Sequence, residues 1–299
     1  MTSPGGAGPA VAAAAVAFLL FAGNFIVSRQ GVVAGLTPVD ITALRFATAG
    51  LLAAPFLIRW GLGDLGGIGW RRGVILAAVA GVPYFAVMVS GLTFAPAANV
   101  VIINPGGTLL GGVVLSILWL KERPTPARLA AGAAALAGLA LIGREDLAGA
   151  GDGDTWIGNL IFALTGMQWA VYMALLNHWR LDPVRAAVVV TVLSLAFLPL
   201  YFLFGGPRLA AAAPGDVLLQ AGYQGIVHAL VAVMLFSHAV RRLGVGTVAL
   251  MVPIVPVAGL ALAHLALGEP LGPVHGLGAA LIALAAGISA ASAWRRKPA

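Results

Sequence analysis

Gly112-Val113-Val114-Leu115-Ser116-Ile117-Leu118-Trp119-Leu120-Lys121-Glu122 is answered later in the chain by Gly259-Leu260-Ala261-Leu262-Ala263-His264-Leu265-Ala266-Leu267-Gly268-Glu269. At an offset of 147 the Gly, three Leu and the Glu coincide. Each copy is followed by a Pro (Pro124, Pro270) and then by another long apolar run. A repeat of this kind bounds the architecture before any local reading does. If each copy belongs to a unit that crosses a membrane five times, the odd number sets the two copies in opposite orientations, which is the inverted-repeat plan. The front of each half repeats more loosely. At offset 145, Leu36-Thr37-Pro38 matches Leu181-Asp182-Pro183, and both mark the turn between the first and second helix of a half.

Composition puts the chain in a lipid bilayer. Hydrophobic residues make up 61% of the 299 and charged residues 9%, with a mean hydropathy of +1.00. A soluble domain carries roughly 25% charged residues. There is no Cys, hence no disulfide and no thiolate chemistry. The net charge of +7 comes from basic residues scattered between apolar runs. No basic face exists along which phosphates could be tracked, which excludes a nucleic-acid partner.

A membrane span needs about 20 apolar residues. Ten segments qualify: 10–28, 39–59, 73–92, 97–120, 127–143, 156–177, 185–204, 217–240, 246–267 and 274–293. The first lacks the basic flank of a signal peptide and is longer than the usual apolar stretch of one. The fold class is therefore an all-α integral membrane protein of ten transmembrane helices in two inverted five-helix repeats. The first repeat covers 10–143, an outside linker 144–155, the second repeat 156–293, and a basic cytoplasmic tail 294–299.

Loop charges set the orientation. With the N-terminus inside, 13 of the 17 Lys and Arg fall in cytoplasmic loops or the tail. Only Arg29, Arg144 and Arg208 reach the other side, and Arg45 lies within a span. This is a strong positive-inside bias, and it places both termini in the cytoplasm. The long acidic loop holding Glu145, Asp146, Asp152 and Asp154 is then outside. Glu122 becomes cytoplasmic and Glu269 external.

Several segments carry a family likeness: Gly23-Asn24-Phe25, Pro38 and Ala43-Leu44-Arg45-Phe46 in the first half; His238 to Thr247, Pro253 to Pro256, Leu267-Gly268-Glu269-Pro270-Leu271 and Gly276-Leu277-Gly278 in the second. In this order, with the repeat and the charge map, the chain resembles the drug/metabolite transporter superfamily, and within it the ten-helix family with paired EamA domains. The resemblance spans about residues 12–292. It implies export or exchange of a small metabolite. Two features depart from the family pattern: the helix-breaking run Asn104-Pro105-Gly106-Gly107, and a membrane interior that lacks acidic residues.

Polar groups at mid-membrane depth are costly and are functional candidates by default. Arg45 has three readings: snorkelling toward the outer interface near Asp40, a structural buried bond, or a substrate contact through a bidentate pair to a carboxylate or phosphate. His228 follows Gln224 at i, i+4 and shares its helix face. It serves as an interhelical hydrogen-bond partner, a substrate contact, or a carrier of protons. Gln168, Trp169 and Tyr172 lie mid-way along the sixth segment, and Tyr84 lies centrally in the third. Aromatic residues at span ends form interfacial belts, as Trp60, Trp156, Trp179 and Trp294 would; central ones line a cavity or pack. Asn24, Asn99 and Asn104 are amides suited to interhelical bonding, and Gly107 with Gly111 forms a GxxxG for close packing.

The ten acids all map to loops or span ends, which argues against export of cationic drugs. No nucleotide-binding loop follows Gly106-Gly107, and His228 and His238 are too far apart for a metal site. The sequence thus predicts a secondary transporter, not an enzyme. It would move a neutral, zwitterionic or anionic small molecule across the cytoplasmic (inner) membrane by alternating access. No cofactor and no metal is called for. The predicted substrate-binding residues are Tyr84, Gln168, Trp169, Tyr172, Gln224, His228 and Arg45, with coupling through protons on His228 left open. A membrane channel or membrane-embedded enzyme is the alternative. Substrate, direction and oligomeric state are not fixed by the sequence.

Overall fold

The computed structural model describes residues 7–119, 125–147, 153–204, 209, 211–244, 247–248 and 251–294. Glu122, residues 295–299 of the tail and residues 148–152 of the linker lie outside them. The described residues form helices and no strands. In chain order these are α1 (Ala7–Val33), α2 (Pro38–Trp60), α3 (Trp70–Ala80), α4 (Val82–Gly91), α5 (Ala97–Leu118), α6 (Pro126–Leu147), α7 (Thr155–His178), α8 (Pro183–Leu193), α9 (Phe197–Phe204), α10 (Pro214–Gln220), a π-helix (Ala221–Ala232), α11 (Val233–Leu243), α12 (Ile254–Leu267) and α13 (Pro273–Trp294).

Eight stretches are long and apolar enough to cross a bilayer: α1, α2, α3 with α4, α5, α7, α8 with α9, α10 through α11, and α13. Two shorter apolar helices, Leu129–Ile142 and Ile254–Leu267, occupy the fifth and ninth of the ten expected segments. The sequence predicts the ninth from residue 246; Thr247 and Val248 are helical, and the chain then turns through Met251 to Pro253 before α12 starts. Pro253 and Pro256 explain the late start: lacking an N–H, they are tolerated only around a helix's first turn.

Local chemistry sets the helix ends. Thr37 caps α2, its hydroxyl accepting from the Asp40 N–H, while Asp40 accepts back from the Thr37 N–H at 2.9 Å. Pro38 fills the first helical position. The matched segment repeats the device: Asp182 caps α8 by accepting from the Arg185 N–H at 2.8 Å, again followed by a Pro. Between α3 and α4 the cause is Pro83, which cannot donate to the Val79 carbonyl one turn earlier. Gln168 of α7 donates to that carbonyl at 2.8 Å. α12 ends on Gly268 in the left-handed region (φ 66°), where any other residue would be strained. The Gly268 N–H reaches back to His264 and the Glu269 N–H to Ala263.

The helices pack around two apolar cores. The larger runs from Phe18 and Phe25 of α1 through Phe85 and Met88 of α4 and the first turns of α5 to Ile282 of α13. The smaller joins Leu57, Leu76, Tyr172, Leu175 and Val189. α5 and α7 approach closely. A methyl at Gly107 would overlap the Ala163 carbonyl, and one at Gly111 would come within 2.9 Å of Met167 and Ala170, so the GxxxG does serve close packing. The amides bond between helices as expected: Asn99 to Asn159 at 2.9 Å, and Asn104 to Thr165 at 3.1 Å. Around the outside, large apolar side chains stand in the open, with Leu118, Leu203 and Leu265 exposed by 72%, 73% and 80%. A belt of this kind belongs against lipid, and the protein is a multi-pass membrane protein.

Candidate functional site

Three of the singled-out side chains meet at one nitrogen. Arg45 Nη1 donates to Gln224 Oε1 at 3.1 Å and to His228 Nδ1 at 2.9 Å, and lies 3.4 Å from Asn24 Oδ1. Arg45 sits seven residues into α2, about 10 Å from the end of the helix. It does not reach toward Asp40. That acid is used at the helix start, where it is fully buried, holds Thr37, and accepts from the Tyr201 hydroxyl at 2.5 Å. Asp40 stands at a span end, as the sequence places the acids, and is buried there.

The junction is built by three elements. α2 brings Arg45, α1 brings Asn24 and Ser28, and the π-helix brings Gln224 and His228. Gln224 is fully buried, and its amide donates to Ser28 Oγ at 2.8 Å and to the Asn24 carbonyl at 3.3 Å. Its oxygen is thereby aimed at Arg45. Gly225 lies so close to Thr48 of α2 that a methyl there would overlap it. A π-helix of twelve residues is unusual, and such segments gather at functional sites. Arginine can only donate, so His228 Nδ1 accepts and the ring hydrogen sits on Nε2. Phe21 packs edge-on against that ring at 5.6 Å. Phe85 covers the guanidinium, its ring centroid 4.4 Å from the Arg45 Cζ, and Phe46 approaches at 5.7 Å.

The aromatic residues form a second group. Tyr84 and Trp169 stack with centroids 5.3 Å apart, and Trp169 and Tyr172 follow at 4.9 Å. This ladder bridges the two cores: Tyr84 packs against the larger, Trp169 against the smaller. Tyr172 is buried at its far end, whereas Tyr84 and Trp169 stay partly exposed. Tyr84 neighbours Phe85 in sequence and lies within electrostatic range of Arg45. Gln168, one residue before Trp169, is committed to the Val79 carbonyl and takes no part in the Arg45 cluster.

Sequence reasoning missed Ser28, Phe46 and Phe85, and it left Asn24 as a packing amide. Ser28 follows Asn24 at i, i+4, a spacing that could have flagged a polar stripe on α1. It also missed a second cluster at one end of the bundle. Glu269 accepts from the N–H groups of Ala97 and Ala98 at 2.8 Å each, capping α5. Arg29 approaches the same carboxylate at 3.7 Å and donates to the Leu92 carbonyl. Nearby on the same end, Gln30 donates to Asp216 at 2.7 Å.

Known proteins give this arrangement a family. The EamA-like transporter model matches the chain twice, over residues 8–144 and 156–290. The chain belongs to the EamA-like transporter family. An uncharacterized transporter from Archaeoglobus fulgidus is 25% identical over 253 residues, covering 81% of this chain and 84% of that protein. A protein of known crystal structure, 21% identical, superposes with a TM-score of 0.62 over 95% of this chain and 99% of its own. At that identity the likeness is one of fold. The resemblance drawn from Gly23-Asn24-Phe25, the Arg45 segment and the Glu269 block is thus to the family that the chain belongs to.

Proposed function

We infer that this EamA-family protein is a secondary transporter. It moves a small neutral, zwitterionic or anionic metabolite across the cytoplasmic membrane by alternating access, as export or exchange, and catalyses no reaction. The observation that carries this reading is Arg45. A cation is held about 10 Å inside the bundle among neutral acceptors, at a depth where charge is tolerated only in protein or at a water-filled cavity. Arg45, His228, Tyr84 and Trp169 line the cavity in this reading, with Gln224 backing the polar side, and Gln168 and Tyr172 backing the aromatic side.

The helix contacts support ten spans in two inverted repeats. Exchanging the halves turns the first span into the sixth, the second into the seventh, and so on. Under that exchange the α5–α7 contact becomes α12–α1, the contact of α2 with the π-helix becomes α8–α3, and α4–α7 becomes α11–α1. The α2–α8 and α6–α13 contacts map onto themselves. Glu269 caps the start of α5, and the first copy of its motif lies around the other end of that helix, 22 residues and about 33 Å away. Opposite faces for the two copies are what inversion requires. In alternating access, Glu269 and Arg29 then form a latch between the halves on the outer face.

A metabolite panel in proteoliposome counterflow tests the function: exchange of at least one small molecule is expected, and no exchange across the panel removes the reading. Orientation is tested with single Cys residues at Ala150 and Pro298. Only the first should label from outside, and equal labelling of both refutes two cytoplasmic termini. Proton coupling through His228 is the remaining element. Protonating Nδ1 would set two donors face to face, so it must release Arg45. Transport that is indifferent to an imposed proton gradient removes the proton role and leaves the binding role standing.

A further inference from the structure

Arg45 is only half used. All three of its hydrogen-bond partners meet Nη1, and all three are neutral. Nε and Nη2 bond to no described residue. Among the described residues, neither nitrogen is a fully buried atom left without a partner. Both therefore keep accessible surface. They also form the edge of the guanidinium that receives a carboxylate through two parallel hydrogen bonds. Among the described residues, no carboxylate pairs with Arg45; the one ion pair found joins Arg29 to Glu269.

The surroundings narrow the class of occupant. Phe85 and Phe46 lie on the guanidinium and add no charge. His228 accepts from Arg45 through Nδ1 and supplies no second cation in that state. One positive charge in a low-dielectric setting is neutralised by one negative charge. A dianion would leave a charge unmatched there, and an organic cation would meet repulsion. Tyr84, next to Phe85 in the chain, forms with Trp169 a partly exposed aromatic face. We propose that the site binds a small monocarboxylate with an apolar or aromatic body, its carboxylate on Nε and Nη2 of Arg45 and its body against Tyr84 and Trp169. This rests on the transporter reading above and names its substrate class.

The test uses purified full-length protein in detergent, titrated with phenylacetate, phenylacetamide, phenethylammonium and phenyl phosphate, with binding followed by calorimetry. Phenylacetate should bind at least roughly 10-fold more tightly than the other three, the scale of losing a charge-assisted pair. Arg45→Gln should erase that preference, leaving acid and amide equal. If Arg45→Gln does not fold, Trp169→Ala carries the test with acetate titrated as a fifth compound: the unmodified protein should prefer phenylacetate over acetate, and Trp169→Ala, which keeps the cation, should remove that preference. Amide binding equal to acid binding in the unmodified protein overturns the proposal. So does an acid preference that survives Arg45→Gln, or no binding of any of the four compounds. Counterflow separates this failure from that of the transporter reading: a panel in which only neutral or cationic compounds exchange sinks the carboxylate site while transport stands.

Discussion

Two junctions of three spans each in this molecule share a scaffold and differ in chemistry. In one, the π-helix packs on both α1 and α2; in the other, α3 and α4 pack on α7, and α3 also packs on α8. The sequence offset of 145 that aligns Leu36-Thr37-Pro38 with Leu181-Asp182-Pro183 also aligns Asn24 with Trp169 and Arg45 with Val190. The first junction is polar, with Asn24, Gln224 and His228 all bonded to Arg45. The second is aromatic, with Tyr84, Trp169 and Tyr172 stacked and Val190 buried where the cation's counterpart would be. The lesson is that the helix packing carries the architecture while a few substitutions on it carry the chemistry. A polar group in one junction can be dispensable to the fold and its counterpart in the other dispensable to binding.

The largest effect should come from the polar junction. His228→Ala removes an acceptor that orients Arg45, and we expect transport to fall roughly 10–100-fold, the range of losing one hydrogen bond to a charged group. Counterflow rates for equal amounts of folded protein check this. Retention of half the activity or more would place the chemistry elsewhere and dissolve the contrast. Second is the frame that both junctions share. Gly107→Leu forces a side chain into the Ala163 backbone and should destabilise the bundle by about 1–3 kcal/mol, seen as a lowered thermal midpoint in detergent. An unchanged midpoint would mean that α5 and α7 do not rely on this close approach.

The aromatic junction gives a smaller change. Gln168→Leu leaves the Val79 carbonyl at the Pro83 break without its donor and should cost about 1 kcal/mol of stability, with substrate affinity within about twofold of the parent. An affinity loss without a stability loss would move Gln168 into the binding site and sharpen the comparison against the present assignment. The smallest effect is expected outside both junctions. Arg241→Ala, in the last turn of α11, should leave transport within about twofold, because exposed charges away from a site contribute little. A loss as large as that of His228→Ala would show that basic residues at this end take part in transport itself.

The sequence alone determined whatever depends on composition or on residues a few positions apart. Low charge and long apolar runs determined the membrane. Thr37-Pro38 and Asp182-Pro183 determined two helix starts, because a cap acts within one turn. The spacing of Gln224 and His228 determined that they share a face, and both do reach one nitrogen. The tertiary structure decided what spans long separations. Arg45 meets partners 179 and 183 positions away, not the Asp40 one turn behind it. Gln168 serves a carbonyl 89 residues earlier, and Glu269 caps a helix that starts 172 residues before it. The π-helix, too, left no mark that a 3.6-residue periodicity could register. Inside a bilayer a polar group must find its partner within the protein, and which partner comes within 3 Å is fixed only when the helices have packed.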